Sequence, residues 1–237
     1  MSLFKAYLAL FRVSNLPTVW SNVLAAFLVS GETFSWIVAA LLIMAMSLFY
    51  SAGMVLNDIC DVEFDAVQKK SRPLSSGIIT LLGAKMVLTL LFILGFAILL
   101  FLPNPLLAVV AGIVLFGLIV FYDKYHKGNP TSVFLMAGCR LMVYMVVATA
   151  VSGTVNKVVL TVALCQFAYI IFLSCVARYE NAWQHTISFP LIPLLLAAIC
   201  LVDGLSVSLA LKSPIWFVGG FAGFTMTLAA QKYVRGD

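Results

Sequence analysis

Long runs of apolar residues, broken by short polar segments, make up most of the chain. About 20 mostly apolar residues are needed for an α-helix to cross the hydrocarbon core of a bilayer. The sequence contains eight such candidate spans, at residues 14–30, 36–56, 81–102, 105–122, 132–152, 157–176, 187–203 and 214–232. Glycine and proline, which tend to stop helices, occur between them, and we expect turns at 103–105, 152–154 and at Asp203-Gly204. The pattern predicts an all-α, multi-pass transmembrane bundle of about eight spans, with residues 1–237 forming one domain.

The composition and the placement of charge support this interpretation. Hydrophobic residues make up 63% of the chain and charged residues 10%, whereas a soluble domain carries roughly a quarter charged residues. A net charge of +5 is compatible with nucleic-acid binding, but with a cytoplasmic N-terminus only Lys157 and Lys212 fall in loops on the far side. That distribution is the positive-inside bias. We therefore expect an integral protein of the plasma (inner) membrane with both termini cytoplasmic, surrounded by membrane lipids and without a nucleic-acid partner.

The segment after the second span has the strongest candidate chemistry. Asn57, Asp61 and Asp65 recur every fourth residue, so in a helix they lie on one face, one turn apart. Their oxygen atoms suit Mg²⁺, which is usually held by one or two carboxylates together with substrate phosphates. A solvated helix end is the alternative, but the helix dipole disfavours acidic residues there. Basic residues, among them Arg72, follow at once, and a diphosphate requires them more than a metal does. The sequence predicts a Mg²⁺ and diphosphate site with these three residues as catalytic groups and metal ligands.

Two other regions carry candidate residues for the same site. Tyr122 and Lys127 lie after the fourth span, where a membrane-surface anchor and a phosphate contact are both compatible with their position. Arg140 lies about two turns inside the fifth span, where an arginine is costly and is by default a functional residue. Its alternative role is to extend toward the cytoplasmic surface.

These residues resemble those of the UbiA superfamily of intramembrane prenyltransferases. The string from Asn57 to Asp65, followed by Arg72-Pro73-Leu74-Ser75-Ser76-Gly77, looks like the family's first aspartate-rich motif and its tail. The resemblance implies a bundle around a central cavity, in which Mg²⁺ held by two aspartate-rich motifs binds a prenyl diphosphate. On this mapping the diphosphate contacts are Arg72, Lys127, Arg140, Tyr122 and Arg178.

The second aspartate-rich motif of the family is missing from this sequence. Arg178-Tyr179-Glu180 stands where it is expected, so Glu180 becomes the candidate for a further metal ligand. This Arg-x-Glu form is similar to a divergent, EboC-like branch of the superfamily. The resemblance implies Mg²⁺-dependent transfer of a prenyl group from a prenyl diphosphate to a hydrophobic, aromatic or lipid acceptor. A non-catalytic carrier of an isoprenoid or lipid precursor, and a terpene cyclase of the same fold, are the alternatives.

Overall fold

The structure, a computed structural model, describes residues 2–68, 72–125, 129–183 and 191–234, without the side chains of residues 64–68 and 180–183. The described residues form helices and no strands. The α-helices are α1 (Leu3–Leu10), α2 (Leu16–Val29), α3 (Trp36–Gln68), α4 (Leu81–Leu99), α5 (Pro105–Tyr125), α6 (Ser132–Ser152), α7 (Lys157–Trp183), α8 (Leu191–Ala197), α9 (Ile199–Leu211) and α10 (Ile215–Gln231). A 3₁₀ turn at Val13–Asn15 leads into α2.

Among the described residues, six helical segments are long and apolar enough to cross a membrane. Five of them belong to α3, α4, α5, α6 and α7, and the sixth, Leu191–Leu211, joins α8 and α9. Two shorter apolar helices, Val13–Val29 and Ile215–Gln231, complete the set. The prediction of an all-α, multi-pass bundle with about eight spans is confirmed.

Helix α2 is packed on several sides, against α3, α6, α9 and α10. Phe27 of α2 is buried with Phe49 of α3 and Tyr144 of α6 in the largest apolar cluster of the described residues. Outer helices instead expose large apolar side chains, such as Ile93 of α4 and Ile113 of α5. An apolar exterior of this extent is stable only against lipid, as expected for an integral membrane protein.

Three predicted helix ends were wrong by seven residues or more, and the first is that of α7, which ends at Trp183 instead of residue 176. Helix α3 continues to Gln68, well beyond the span end predicted at residue 56. Asp203 and Gly204 do not form a turn, because both lie inside α9 and the chain turns at Lys212, which has a φ of 51°. The carboxylate of Asp203 is buried but accepts hydrogen bonds from neighbouring helices, so it does not end the helix. A Cβ on Gly204 would lie 2.8 Å from the Cα of Gly220, so glycine here permits close packing of α9 on α10.

Candidate active site

A cavity of about 290 Å³ lies among the helices, with walls from α2, α3, α5, α6, α7 and α8. Its lining on α3 and α5 changes from apolar to polar toward the C-terminal end of each helix. Phe49 and Leu115 lie at the apolar part, and Asn57 and Asp123 at the polar part. A cavity with a polar end and apolar walls suits a ligand that has a charged head and a hydrocarbon tail.

A hydrogen bond joins α3 to α5 at the polar end of the cavity. The Nδ2 of Asn57 donates to the Oδ1 of Asp123 over 3.1 Å. Because this bond uses the amide nitrogen, the carbonyl oxygen of the same side chain keeps its acceptor capacity for a metal. Asp123 is 4% exposed, and Asp58 and Asp61 lie near enough to repel its carboxylate.

Asp123 is a site residue that the sequence analysis missed, because Lys124 follows it and the segment resembles a surface anchor. The spacing of the residues before it in the sequence does indicate its position. Leu115, Ile119 and Asp123 recur every fourth residue and all line the cavity, so they occupy one face of α5.

A second buried carboxylate, that of Asp58, holds two arginines beside the cavity. Its Oδ1 accepts from Nη2 of Arg12 over 3.4 Å and from Nη1 of Arg72 over 3.3 Å. Arg12 lines the cavity and has a φ of 47°, a left-handed conformation that costs an L-residue about 1–2 kcal/mol. Such strain is retained where surrounding contacts fix it, often at functional sites. The predicted diphosphate residue Arg72 is thus brought together with Arg12, which sequence reasoning did not place in the site.

The predicted metal ligands fall partly outside the described side chains. Asp61 is 9% exposed and lies one turn after Asn57 on α3. The backbones of Asp65 and Glu180 are helical, but their side chains, and the whole of Lys127, lie outside the described residues. Within the described part of the chain, no three histidine, cysteine or acidic side chains form a metal site by themselves.

The charges nevertheless fit a divalent cation. Three buried carboxylates, those of Asp58, Asp61 and Asp123, lie close together at this end of the bundle, and that of Asp58 pairs with Arg12 and Arg72. Buried carboxylates this close repel one another, and a bound cation offsets that repulsion. The oxygen donors also match the preference of Mg²⁺.

Tyr122 and Arg178 differ in their relation to the cavity. Tyr122 lines it, and its hydroxyl donates to the sulfur of Met136 over 3.8 Å. Arg178 donates from Nη2 to the carbonyl oxygen of Asn129 and to the Oγ of Ser132, over 2.9 and 2.7 Å. It therefore ties α7 to the start of α6.

Arg140 points into the bundle rather than toward the membrane surface. Its Nη1 donates to the Oδ1 of Asn22 over 2.7 Å, and its Nη2 donates to the Oγ1 of Thr18 over 2.9 Å. The guanidinium lies 5.6 Å from the ring centroid of Tyr50, within the range of a cation–π contact. Arg140 and Tyr50 both line the cavity.

The UbiA prenyltransferase family matches residues 15–236, which include α2 to α10 and all of the cavity lining except Arg12. The chain belongs to this family. Among its relatives, the digeranylgeranylglyceryl phosphate synthase of Methanocaldococcus jannaschii is 36% identical over 137 residues, 57% of this chain and 48% of that protein. The synthase of the same name from Saccharolobus solfataricus is 35% identical over 124 residues, 52% of this chain and 44% of that protein. The chain thus spans about half the length of the curated relatives it matches.

Solved UbiA structures have the same fold. A structure reported for digeranylgeranylglyceryl phosphate synthase in membranes superposes with a TM-score of 0.67 at 22% identity and covers 97% of both chains. A UbiA homologue from Archaeoglobus fulgidus, bound to GPP and Mg²⁺, gives a TM-score of 0.66 at 12% identity and covers 95% of this chain and 97% of its own. At such identities the likeness concerns the fold alone.

Proposed function

We propose that this UbiA protein transfers a prenyl group from a prenyl diphosphate to an acceptor within the membrane, and that it depends on Mg²⁺. The observation that carries this proposal is the cavity, which has Asn57, Asp123 and Arg12 at its polar end and apolar walls behind them. Asp58 pairs with Arg12 and also with Arg72 beside that end. The family supports it, as do relatives that are named prenyl-lipid synthases. So does the A. fulgidus homologue, which binds GPP and Mg²⁺.

Residues of α3 hold the metal and the diphosphate in this proposal. Asn57, Asp61 and Asp65 supply oxygen ligands, and Glu180 is the candidate for a further ligand. When bound, Mg²⁺ supplies the positive charge that stabilises the departing diphosphate. Arg12 enters the site beside four of the five residues predicted from sequence to contact the diphosphate, which are Arg72, Lys127, Tyr122 and Arg178. The fifth, Arg140, lines the cavity beside Tyr50.

Two contacts fix the orientation of polar side chains at the polar end of the cavity before any ligand binds. Asp58 fixes the orientation of the guanidinium groups of Arg12 and Arg72, so less freedom is lost when they contact phosphate. Asp123 fixes the amide of Asn57 through its nitrogen, which leaves the carbonyl oxygen available as a metal ligand. Preorganised charges of this kind lower a barrier because they need no reorganisation during the reaction.

The apolar walls protect the reacting carbon. When the allylic C–O bond breaks, its electron pair leaves with the diphosphate and the allylic group becomes cationic. Side chains such as Phe49, Ile119 and Val143 keep water from that cation. The acceptor then forms the new bond and loses a proton to the released diphosphate.

The acceptor in this proposal is hydrophobic, and the relatives favour a prenylated glyceryl phosphate over an aromatic ring. Location in the plasma membrane, with both termini in the cytoplasm, follows from the charge distribution and belongs to the same proposal.

Release of diphosphate tests the proposal. Purified protein in lipid nanodiscs is given labelled allylic diphosphates with Mg²⁺, and release is followed with and without candidate acceptors. We expect metal- and acceptor-dependent release that Asp61→Ala abolishes. Glu63→Ala, which removes an exposed carboxylate from the same helix, is the matched control and should keep the rate. Tight binding without turnover at any chain length indicates a carrier, and a cyclic hydrocarbon formed without acceptor indicates a terpene cyclase.

A further inference from the structure

Arg140 is a cation in the cavity wall, and none of the described carboxylates pairs with it directly. Within the described part of the chain, no carboxylate lies within 4.0 Å of its guanidinium group, because both ion pairs found there belong to Asp58. Its two hydrogen bonds go to the neutral side chains of Asn22 and Thr18. A guanidinium group carries five N–H donors, so the side chain retains donors for an anion.

The partners of Arg140 are themselves held in a fixed orientation. The hydroxyl of Thr18 donates to the carbonyl oxygen of Asn15 over 2.7 Å, which leaves its oxygen to accept from Arg140. Asn22 turns its carbonyl oxygen to Arg140, while its Nδ2 donates to the Oδ2 of Asp203 over 2.8 Å.

Asp203 anchors this arrangement from behind. It is 3% exposed, and it also accepts hydrogen bonds from the hydroxyls of Ser21 and Tyr144. One amide therefore separates a buried carboxylate from the cation. The carboxylate offsets part of the cost of placing Arg140 in the membrane without using the N–H donors of its guanidinium group.

Arg140 lies away from the metal end of the cavity. It sits over the ring of Tyr50, which is seven residues before Asn57 on the same face of α3. Seven residues of α-helix span roughly 10 Å. A diphosphate held at Asn57 and Asp61 is therefore nearer to Arg72 and Arg12 than to Arg140. Because Arg140 lies farther from that end of the cavity, it is better placed for a different anion than for the diphosphate that the sequence predicted.

We propose that Arg140, positioned by Thr18, Asn22 and Asp203, binds the acidic group of the acceptor, a phosphate or a carboxylate. This inference rests on the proposed prenyl transfer and names the class of acceptor. An acidic group at Arg140 anchors the acceptor in the cavity beside the diphosphate end. It also neutralises a positive charge that otherwise disfavours the allylic cation through charge repulsion.

Binding of matched acceptors without donor or metal tests this site apart from catalysis. Two acid–neutral pairs serve as probes: a prenylglyceryl phosphate with its dephosphorylated alcohol, and 4-hydroxybenzoate with 4-hydroxybenzyl alcohol. We expect one acidic probe to bind wild-type protein at least 30-fold more tightly than its neutral partner, about 2 kcal/mol. The pair that shows this difference identifies the acid as lipid phosphate or aromatic carboxylate.

Variants of the site should remove that difference without affecting the donor. Arg140→Gln should abolish the preference for the acidic probe. Arg140→Lys, which keeps the positive charge but not the planar set of N–H donors, should retain part of that preference. Neither should change the affinity for GPP with Mg²⁺ by more than threefold. The control Lys157→Gln, at an exposed position at the start of α7, should change nothing.

A positioning role for Asp203 predicts a separate kinetic result. Asp203→Asn should raise the KM for the acidic acceptor about tenfold, leave the KM for the donor unchanged, and leave binding of the neutral probe intact. If Arg140→Gln does not fold, Asn22→Ala provides the same test. Equal binding of acidic and neutral probes to wild-type protein, or a loss of donor affinity in Arg140→Gln as large as the loss of acceptor affinity, overturns the assignment. If the acidic preference holds but no donor is ever turned over, prenyl transfer fails while the anion site stands.

Discussion

Replacement of Asn57 by aspartate exchanges a hydrogen-bond donor for a second carboxylate beside Asp123. The wild-type contact is 3.1 Å long and part-buried, and a hydrogen bond to a charged group contributes about 1.5–3 kcal/mol. Two carboxylates at that separation repel by about 5 kcal/mol at an effective dielectric constant of 20, so one of them takes up a proton instead. We expect Asn57→Asp to lose about 2–4 kcal/mol of unfolding free energy without metal.

A divalent cation should reverse that loss, because it converts the repelling pair into ligands. Thermal unfolding in detergent, with a chelator and then with excess Mg²⁺, measures both effects. The matched control is Asn104→Asp, which removes an amide that donates to the carbonyl oxygens of Ala150 and Val151 over 3.3 and 3.0 Å. We expect both variants to melt early with chelator and Mg²⁺ to rescue Asn57→Asp alone. Equal rescue of both, or wild-type melting of Asn57→Asp without metal, would refute the reasoning.

Three further predictions concern the arginine pair, the packing of α10 and a buried amide. Arg12→Gln and Arg72→Gln should each raise the KM for the prenyl diphosphate about tenfold. The double variant should raise this KM by less than the product of the two single effects, because both side chains share one carboxylate and the effects of such neighbours are not additive. Gly220→Ala places a Cβ 2.5 Å from a carbonyl oxygen of α9 and should cost about 1–3 kcal/mol in thermal unfolding, whereas Gly219→Ala, with no atom within 4 Å, should be neutral. Gln166 is 0% exposed, and its side-chain amide has no hydrogen-bond partner among the described residues; Gln166→Leu should raise the melting temperature, and a lower one would contradict this interpretation.

The apolar pattern was sufficient to predict the architecture, because the length and composition of a span are local properties. The helical state of residues 57–65 was also predictable, since Asn57, Asp61 and Asp65 have the spacing of a single helix face. The limits of the helices were harder to predict from the sequence. Asp203-Gly204 has the local composition of a turn, and its place inside α9 depends on Asn22, 181 residues away along the chain.

The site residues that were missed depend on contacts distant in sequence. Asp123 gains its role through Asn57, 66 residues earlier, and Arg12 gains its role through Asp58, 46 residues later. The spacing of Leu115, Ile119 and Asp123 indicates that they share a helix face, but the neighbouring sequence of neither residue identifies its partner on another helix. The inward direction of Arg140 likewise depends on Asn22, 118 residues earlier, so sequence reasoning left open whether this arginine extends to the surface.

The position of a bound metal relative to α3 tests the central claim most directly. An experimental structure with Mn²⁺ and an unreactive thiolo analogue of GPP would locate the ion by its anomalous scattering. We expect a peak in direct coordination, at about the 2.1 Å typical of Mg²⁺, to the carbonyl oxygen of Asn57 and a carboxylate oxygen of Asp61, with a phosphate oxygen completing the contact. A peak bound only to exposed carboxylates such as Glu63, or a diphosphate seated away from α3, would contradict the account.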